Sequence, residues 1–168
     1  MKYTPLSLQK KIYLNPSDLL PKIQRLKEDR ATIVFGNGCF DLLHVGHIRY
    51  LFGAKALGDV LIIAVNTDES MRKIKPHRSP LTPDFERMEL IAAIEAVDFV
   101  LPLREETPIS LLQLFQPHIH TKGKDYRLEE IPERSVVLAY GGKVLTVGDP
   151  KQHSTTEIVA KISSPPPS

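Results

Sequence analysis

His44 and His47 lie three residues apart, behind the run Gly36-Asn37-Gly38-Cys39-Phe40-Asp41 and at the start of a helical pattern that begins near Gly46. Residues at i and i+3 share a helix face, so both imidazoles can donate hydrogen bonds to one object. The same object meets unpaired backbone N–H groups and the positive end of the helix dipole, which together suit a phosphate. Gly38 and Gly46 let the backbone approach that phosphate closely. A zinc site needs convergent ligands, and the two histidines have no third partner nearby in sequence, so phosphate contact is the better reading.

Other residues capable of chemistry are scattered along the chain. Asp41 offers an oxygen ligand for a magnesium ion or, equally, a partner for loop N–H groups. Cys39 and Phe40 are packing residues of the same loop. Asn66 and Asp68 follow an apolar run. Arg72, Lys73 and Lys75 belong to a basic stretch that could neutralise phosphate or simply be solvated. His118 and His120 alternate along a short strand, so at most one faces a site.

These residues need a scaffold, and the apolar pattern supplies one. Residues 31–35 and 59–65 are continuous apolar runs of the kind buried on both faces of a parallel sheet. Residues 97–101, 118–120 and 143–147 read as three further strands. Helices are predicted at 17–30 capped by Ser17, at 46–57 stopped by Gly58, after Thr82-Pro83, at 107–115 from Thr107-Pro108, at 132–140, and from Ser154. Strands alternating with helices predict an α/β domain with a doubly wound, parallel, five-stranded sheet. Residues 17–163 form this one domain. Residues 1–16 are read as irregular, 71–80 as a basic irregular loop, and 164–168 as a disordered tail. Ligands of such sheets bind at the carboxyl ends of strands, where the histidine loop, Asn66–Asp68, Lys122–Asp125 and the 153–156 segment all fall.

Composition narrows the function classes. The chain has 168 residues, 42% of them hydrophobic, enough for one real core. A net charge of +2 with interspersed signs gives no nucleic-acid stripe. Cys39 is the only cysteine, so neither an intrachain disulfide nor a cysteine-rich zinc site can form. No apolar run approaches membrane-spanning length, and the first residues lack a signal-peptide core, so a cytoplasmic protein is expected.

Gly38-Cys39-Phe40-Asp41 followed by His44-Val45-Gly46-His47 resembles the signature of the cytidylyltransferase-like nucleotidyltransferase superfamily, whose members have a Rossmann-like fold. Further segments resemble the adenylyltransferase domain of ADP-heptose synthases. They are Leu57-Gly58-Asp59, Ala64-Val65-Asn66-Thr67-Asp68, Glu86-Arg87-Met88, Ala96-Val97-Asp98, Lys122-Gly123-Lys124-Asp125-Tyr126 and Ser154-Thr155-Thr156. The resemblance spans about residues 30–163. It departs from the family at Lys124, where a second glycine is usual, at Ser79 before Pro80, and at His153.

The resemblance implies transfer of AMP from ATP to a D-glycero-D-manno-heptose 1-phosphate, with magnesium brought by ATP. It implies catalytic roles for His44, His47 and Lys75. It places nucleotide contacts at Gly38, Cys39, Phe40, Asp41, Gly46, Lys122, Gly123, Asp125, Ser154, Thr155 and Thr156. Phosphate or acceptor contacts would come from Asn66, Asp68, Arg72, Lys73 and Arg87, although a surface salt bridge would also explain Arg87. It further implies a stand-alone adenylyltransferase served by a separate sugar kinase and phosphatase, and leaves a homo-oligomer open. The alternatives are a glycerol-3-phosphate cytidylyltransferase, whose usual Arg-Thr-x-Gly-Ile is absent before Ser154, and a noncatalytic nucleotide-binding module. A tRNA-synthetase fragment is a remote reading, since the usual Lys-Met-Ser-Lys-Ser loop is absent.

Overall fold

The two long apolar runs become neighbouring parallel strands, β1 (Ile33–Gly38) and β2 (Val60–Asn66), paired from Ile33↔Val60 to Gly38↔Val65. This is a computed structural model, and it describes residues 4–77 and 79–149 together with Thr155, Ile158, Val159 and Ile162. The expected tail and the cap at Ser154 lie outside the described residues.

Strands β3 (Phe99–Leu103), β4 (Ile119–Gly123) and β5 (Lys143–Val147) complete an all-parallel sheet in the order β3-β2-β1-β4-β5. The chain lays β1, β2 and β3 outward in one direction, then returns across β1 to lay β4 and β5 in the other. The crevice between the carboxyl ends of β1 and β4 is therefore the topological switch point, where such sheets bind ligands.

Alternation along β1 divides the core into two layers. Ile33 and Phe35 face α2 (Pro16–Glu28), α6 (Ile109–Phe115) and α7 (Arg134–Ala139), meeting Leu19, Ile23, Leu112, Phe115 and Val137. Val34 faces α3 (Val45–Lys55) and α5 (Asp84–Ala92), meeting Leu51, Ala54, Met88 and Ile91. Apolar burial on both faces at roughly 25 cal/mol per Å² holds the layers to the sheet.

Two glycines let these layers close. A Cβ on Gly58 would come within 2.7 Å of Thr32 O and Val34 Cγ2, so Gly58 serves close packing after α3 and is not the expected left-handed cap. A Cβ on Gly36 would collide with Tyr50 Oη and sit 3.1 Å from Ile63 Cδ1. Tyr50 Oη is held by Thr121 O at 3.0 Å and cannot yield freely. Gly36→Ala is expected to cost about 1–3 kcal/mol by overpacking, read as a lower urea midpoint with an unchanged m-value.

Several local expectations are corrected. Residues 1–16 are not wholly irregular: α1 (Leu6–Gln9) precedes a parallel bridge from Ile12 to Val100, and Ile12 is buried in the second layer. Asn15, without a side-chain capping bond, stands at the N-cap of the first long helix in place of Ser17, with a proline in the first turn. A helix, α4 (Asp68–Ile74), takes in the first four residues of the expected irregular loop at 71–80, with Thr67 Oγ1 accepting from Ser70 N at 3.2 Å. Thr82 does not cap α5; its hydroxyl donates to Asp41 O at 2.8 Å. Pro108 stands at the N-cap of α6 without a side-chain bond. The strands expected at 31–35 and 118–120 run further, β1 through Gly38 and β4 through Gly123. No described helix is long and apolar enough to cross a membrane.

Candidate active site

The histidine loop is built around Phe40, whose φ of 49° lies in the left-handed region that only a minority of non-glycine residues occupy. That turn buries the Phe40 ring against Tyr50 and sets its centroid 5.2 Å from His47, edge to face. His44 is the N-cap residue of α3 and His47 lies in its first turn, so their rings stack at 3.8 Å with 23° between planes. Both line a cavity of about 400 Å³ at the carboxyl ends of the strands, a volume suited to a small molecule.

A buried arginine keys the loop to its surroundings. Arg87 is 0% exposed and donates from Nε to Thr82 O at 3.0 Å, from Nη2 to Asp68 Oδ1 at 2.6 Å, and from Nη1 to Cys39 O. Asp41 ties the same loop by accepting from Leu81 N at 2.8 Å and Thr82 N at 3.2 Å. Three chain segments thus meet at one guanidinium, whose fixed fork suits this task better than a flexible ammonium would.

The cavity also gathers Gly38, Cys39, Phe40, Asp41, Gly46, Asn66, Lys75, Lys122, Gly123, Asp125 and Thr155. Thr155 reaches back across the opening to Leu42 O at 3.4 Å. Asn66 is buried, donating to Ser70 Oγ at 3.2 Å.

Four expected contacts lie elsewhere. Arg87 and Asp68 are spent on each other beneath the loop and do not line the cavity, nor is Arg87 on the surface. Lys73 pairs with Glu69 at 2.8 Å on the solvent face of α4, and Arg72 is exposed away from the cavity. Once the basic stretch is helical, its cations cannot all face one way; Lys75, at the helix end, reaches the cavity. Ser154 and Thr156 lie outside the described residues. Neither His118, which accepts from Ile33 N at 2.9 Å, nor His120, buried against Phe35, lines the cavity.

Asn37, Tyr50, Met71 and Ile74 line the cavity without having been singled out. Tyr50 had a signal: it stands three residues beyond His47 on the same helix face. Met71 and Ile74 were hidden because α4 was not recognised, although their own i, i+3 spacing was present.

Burial pushes the His47 imidazole down to about 4, helped by the nearby His44 and Lys75. Its Nδ1 is buried and has no hydrogen-bond partner among the described residues. His47 is therefore neutral at pH 7, a donor of one N–H group. Burial, reinforced by Lys122, likewise lowers His120 to about 4. The unfolded chain takes up protons on both residues near pH 6.5 while the folded chain does not. Stability from these groups is therefore full above about pH 6.5 and lost as pH falls toward 4. Urea unfolding at pH 7 and pH 4.5 should differ by on the order of 1–3 kcal/mol per histidine, and His120→Gln should flatten that decline.

No cluster of three metal-ligating side chains occurs among the described residues. Asp41 Oδ1 already accepts two backbone amides, which makes the carboxylate a loop anchor more than a dedicated magnesium ligand.

The cytidylyltransferase-like family model matches residues 35–162 of this chain. Bifunctional protein HldE of Geotalea uraniireducens is 42% identical over 146 residues, covering 86% of this chain and 30% of the relative. Bifunctional protein HldE of Geobacter metallireducens is 45% identical over 140 residues, covering 83% and 29%. The chain thus spans under a third of the length of these curated relatives. The crystal structure of the lipopolysaccharide core biosynthesis protein from Thermoplasma volcanium superposes with a TM-score of 0.63 at 28% identity, covering 72% of this chain and 99% of that one.

Proposed function

The chain belongs to the cytidylyltransferase-like family of nucleotidyltransferases, and from that premise we propose that it joins AMP from ATP to D-glycero-D-manno-heptose 1-phosphate, giving ADP-heptose and pyrophosphate. The observation that carries the reading is the stacked His44–His47 pair at the start of α3, facing a cavity at the switch point of the sheet.

In this reaction an oxygen of the acceptor phosphate bonds to the α-phosphorus of ATP. The bond from that phosphorus to the bridging oxygen breaks, and the electron pair leaves on pyrophosphate. The nucleophile is already ionised, so the protein needs no strong base. Its work is alignment and stabilisation of the charge that builds on phosphate oxygens. The histidine pair and the N–H groups at the start of α3 supply fixed donors for that charge. Lys75, across the cavity, supplies a positive charge for the pyrophosphate or the acceptor phosphate. Magnesium enters with ATP, held chiefly by phosphate oxygens and water, and neutralises charge on the triphosphate.

The heptose acceptor and ATP are supported by the resemblance of this chain to the adenylyltransferase segment of ADP-heptose synthases. The Thermoplasma volcanium protein of similar fold is itself a lipopolysaccharide core biosynthesis protein. A sugar kinase would supply the acceptor from a separate active site.

Purified protein with ATP or CTP, each paired with heptose 1-phosphate or glycerol 3-phosphate, should release pyrophosphate fastest from ATP with the heptose. Exclusive use of CTP would move the chain to the glycerol-3-phosphate branch. Nucleotide binding without pyrophosphate from any pair would make it a binding module.

A further inference from the structure

Lys122 stands near the end of β4 with 9% of its surface exposed, at the wall of the cavity. Its ammonium donates to Asn37 Oδ1 at 3.0 Å and to Glu133 Oε1 at 3.1 Å. Glu133, just before α7, is 3% exposed and does not itself line the cavity.

Hydrogen-bond chemistry fixes what this triad can offer. An ammonium has three donors and no acceptor. Two of its N–H groups are used, and the third is left for the cavity, where the Tyr126 ring lies 5.6 Å from Nζ. Because lysine can only donate, the oxygen of Asn37 must face it, and the amide NH₂ is the end left to donate. Meanwhile the Glu133 carboxylate, buried against the ammonium, cancels its charge locally. The result is a pair of donors without net charge, a poor match for a polyphosphate and a good one for neutral acceptors such as ribose hydroxyls or base ring nitrogens.

Strand geometry separates this pair from the histidines. Asn37 and Gly38 are successive residues of β1 and face opposite sides. Gly38 abuts the Phe40 ring of the histidine loop, with its ideal Cβ position 3.0 Å from Phe40 Cε2, while Asn37 meets Lys122.

We infer that Glu133 is a positioning residue that turns Lys122 and Asn37 into a charge-neutral donor pair for the nucleoside half of the nucleotide. The polyphosphate is left to the histidine end. This rests on the reading above that the cavity takes a nucleoside triphosphate.

Isothermal titration of ATP and of inorganic tripolyphosphate into the wild type, Glu133→Gln, Lys122→Met and the double variant tests it. ATP should bind about tenfold more weakly to each single variant, the scale of one charge-assisted hydrogen bond. Tripolyphosphate should stay within about twofold in Lys122→Met and in the double variant, and bind more tightly to Glu133→Gln, whose ammonium is no longer cancelled; a merely structural role would not give opposite shifts for the two ligands. The double variant should bind ATP no more weakly than Lys122→Met, because Glu133 acts through Lys122. It also leaves no lone buried charge, so it carries the test if a single variant fails to fold. Loss of tripolyphosphate binding in Lys122→Met, or wild-type ATP affinity in Glu133→Gln, would overturn the inference alone. A wild type that binds neither ligand would overturn the nucleotide reading itself.

Discussion

Replacing His44 or His47 by alanine is expected to slow adenylyl transfer at least about 10²–10³-fold, the usual effect of removing one donor aimed at developing phosphate charge. The melting temperature should move by only a few degrees. The fold tolerates the change because neither ring caps α3: the N-cap makes no side-chain hydrogen bond. His47→Ala also removes the edge contact with Phe40, so it should be the less stable of the two. The loss should fall mainly on kcat, because a neutral His47 holds ground-state phosphate weakly and matters most as charge accumulates. Turnover near that of the wild type in either variant would remove the histidines from the chemistry.

Arg87→Ala is expected to produce the largest loss of stability in the protein, about 3–5 kcal/mol, because it breaks a buried ion pair and strands its partners. Cys39 O and Thr82 O would lose their donor, and the Asp68 carboxylate would lose its cation. For a chain of this size, that corresponds to a fall in melting temperature of roughly 6–20 °C. Activity should suffer beyond what unfolding explains, since the histidine loop and the helix leading to Lys75 are both keyed to this side chain. Arg87→Lys should recover part of the stability but not the three-way geometry. Thermal melts with activity measured well below the transition separate the two effects. An Arg87→Ala protein with unaltered melting and turnover would refute the assignment.

The architecture was legible because burial on both faces leaves an unmistakable mark. Residues 33–35 and 60–65 have no polar alternation, and only a covered parallel sheet accommodates them. The histidine loop was legible for a different reason: short-range spacing on a helix start is fixed by local geometry. What failed was long-range. The resemblance implies a phosphate contact or a surface salt bridge for Arg87, whereas its buried structural role follows from Asp68 and Cys39, 19 and 48 residues away. Glu133 gave no signal either, since its partner Lys122 lies on β4, 11 residues away. The α4 helix was missed because Arg72, Lys73 and Lys75 dominated the composition, whereas Thr67 and the apolar pair Met71 and Ile74 set the conformation. Strand length shows the reverse effect: the expected strands stop at Phe35 and His120, yet Gly38 and Gly123 both continue the ladder.

The pairing of buried cations also sets how a polyanion finds the cavity. Arg87 and Lys122 are each matched by a carboxylate, and His47 is uncharged at neutral pH. Neither matched cation pulls on a distant triphosphate. Long-range steering rests on exposed cations such as Lys75 and Lys124, whose reach ends within about 8 Å at physiological salt. Capture is accordingly fast only over short range and slows as salt rises, while the grip after docking depends on buried groups that salt hardly touches. Speed of encounter and strength of hold belong to different residues.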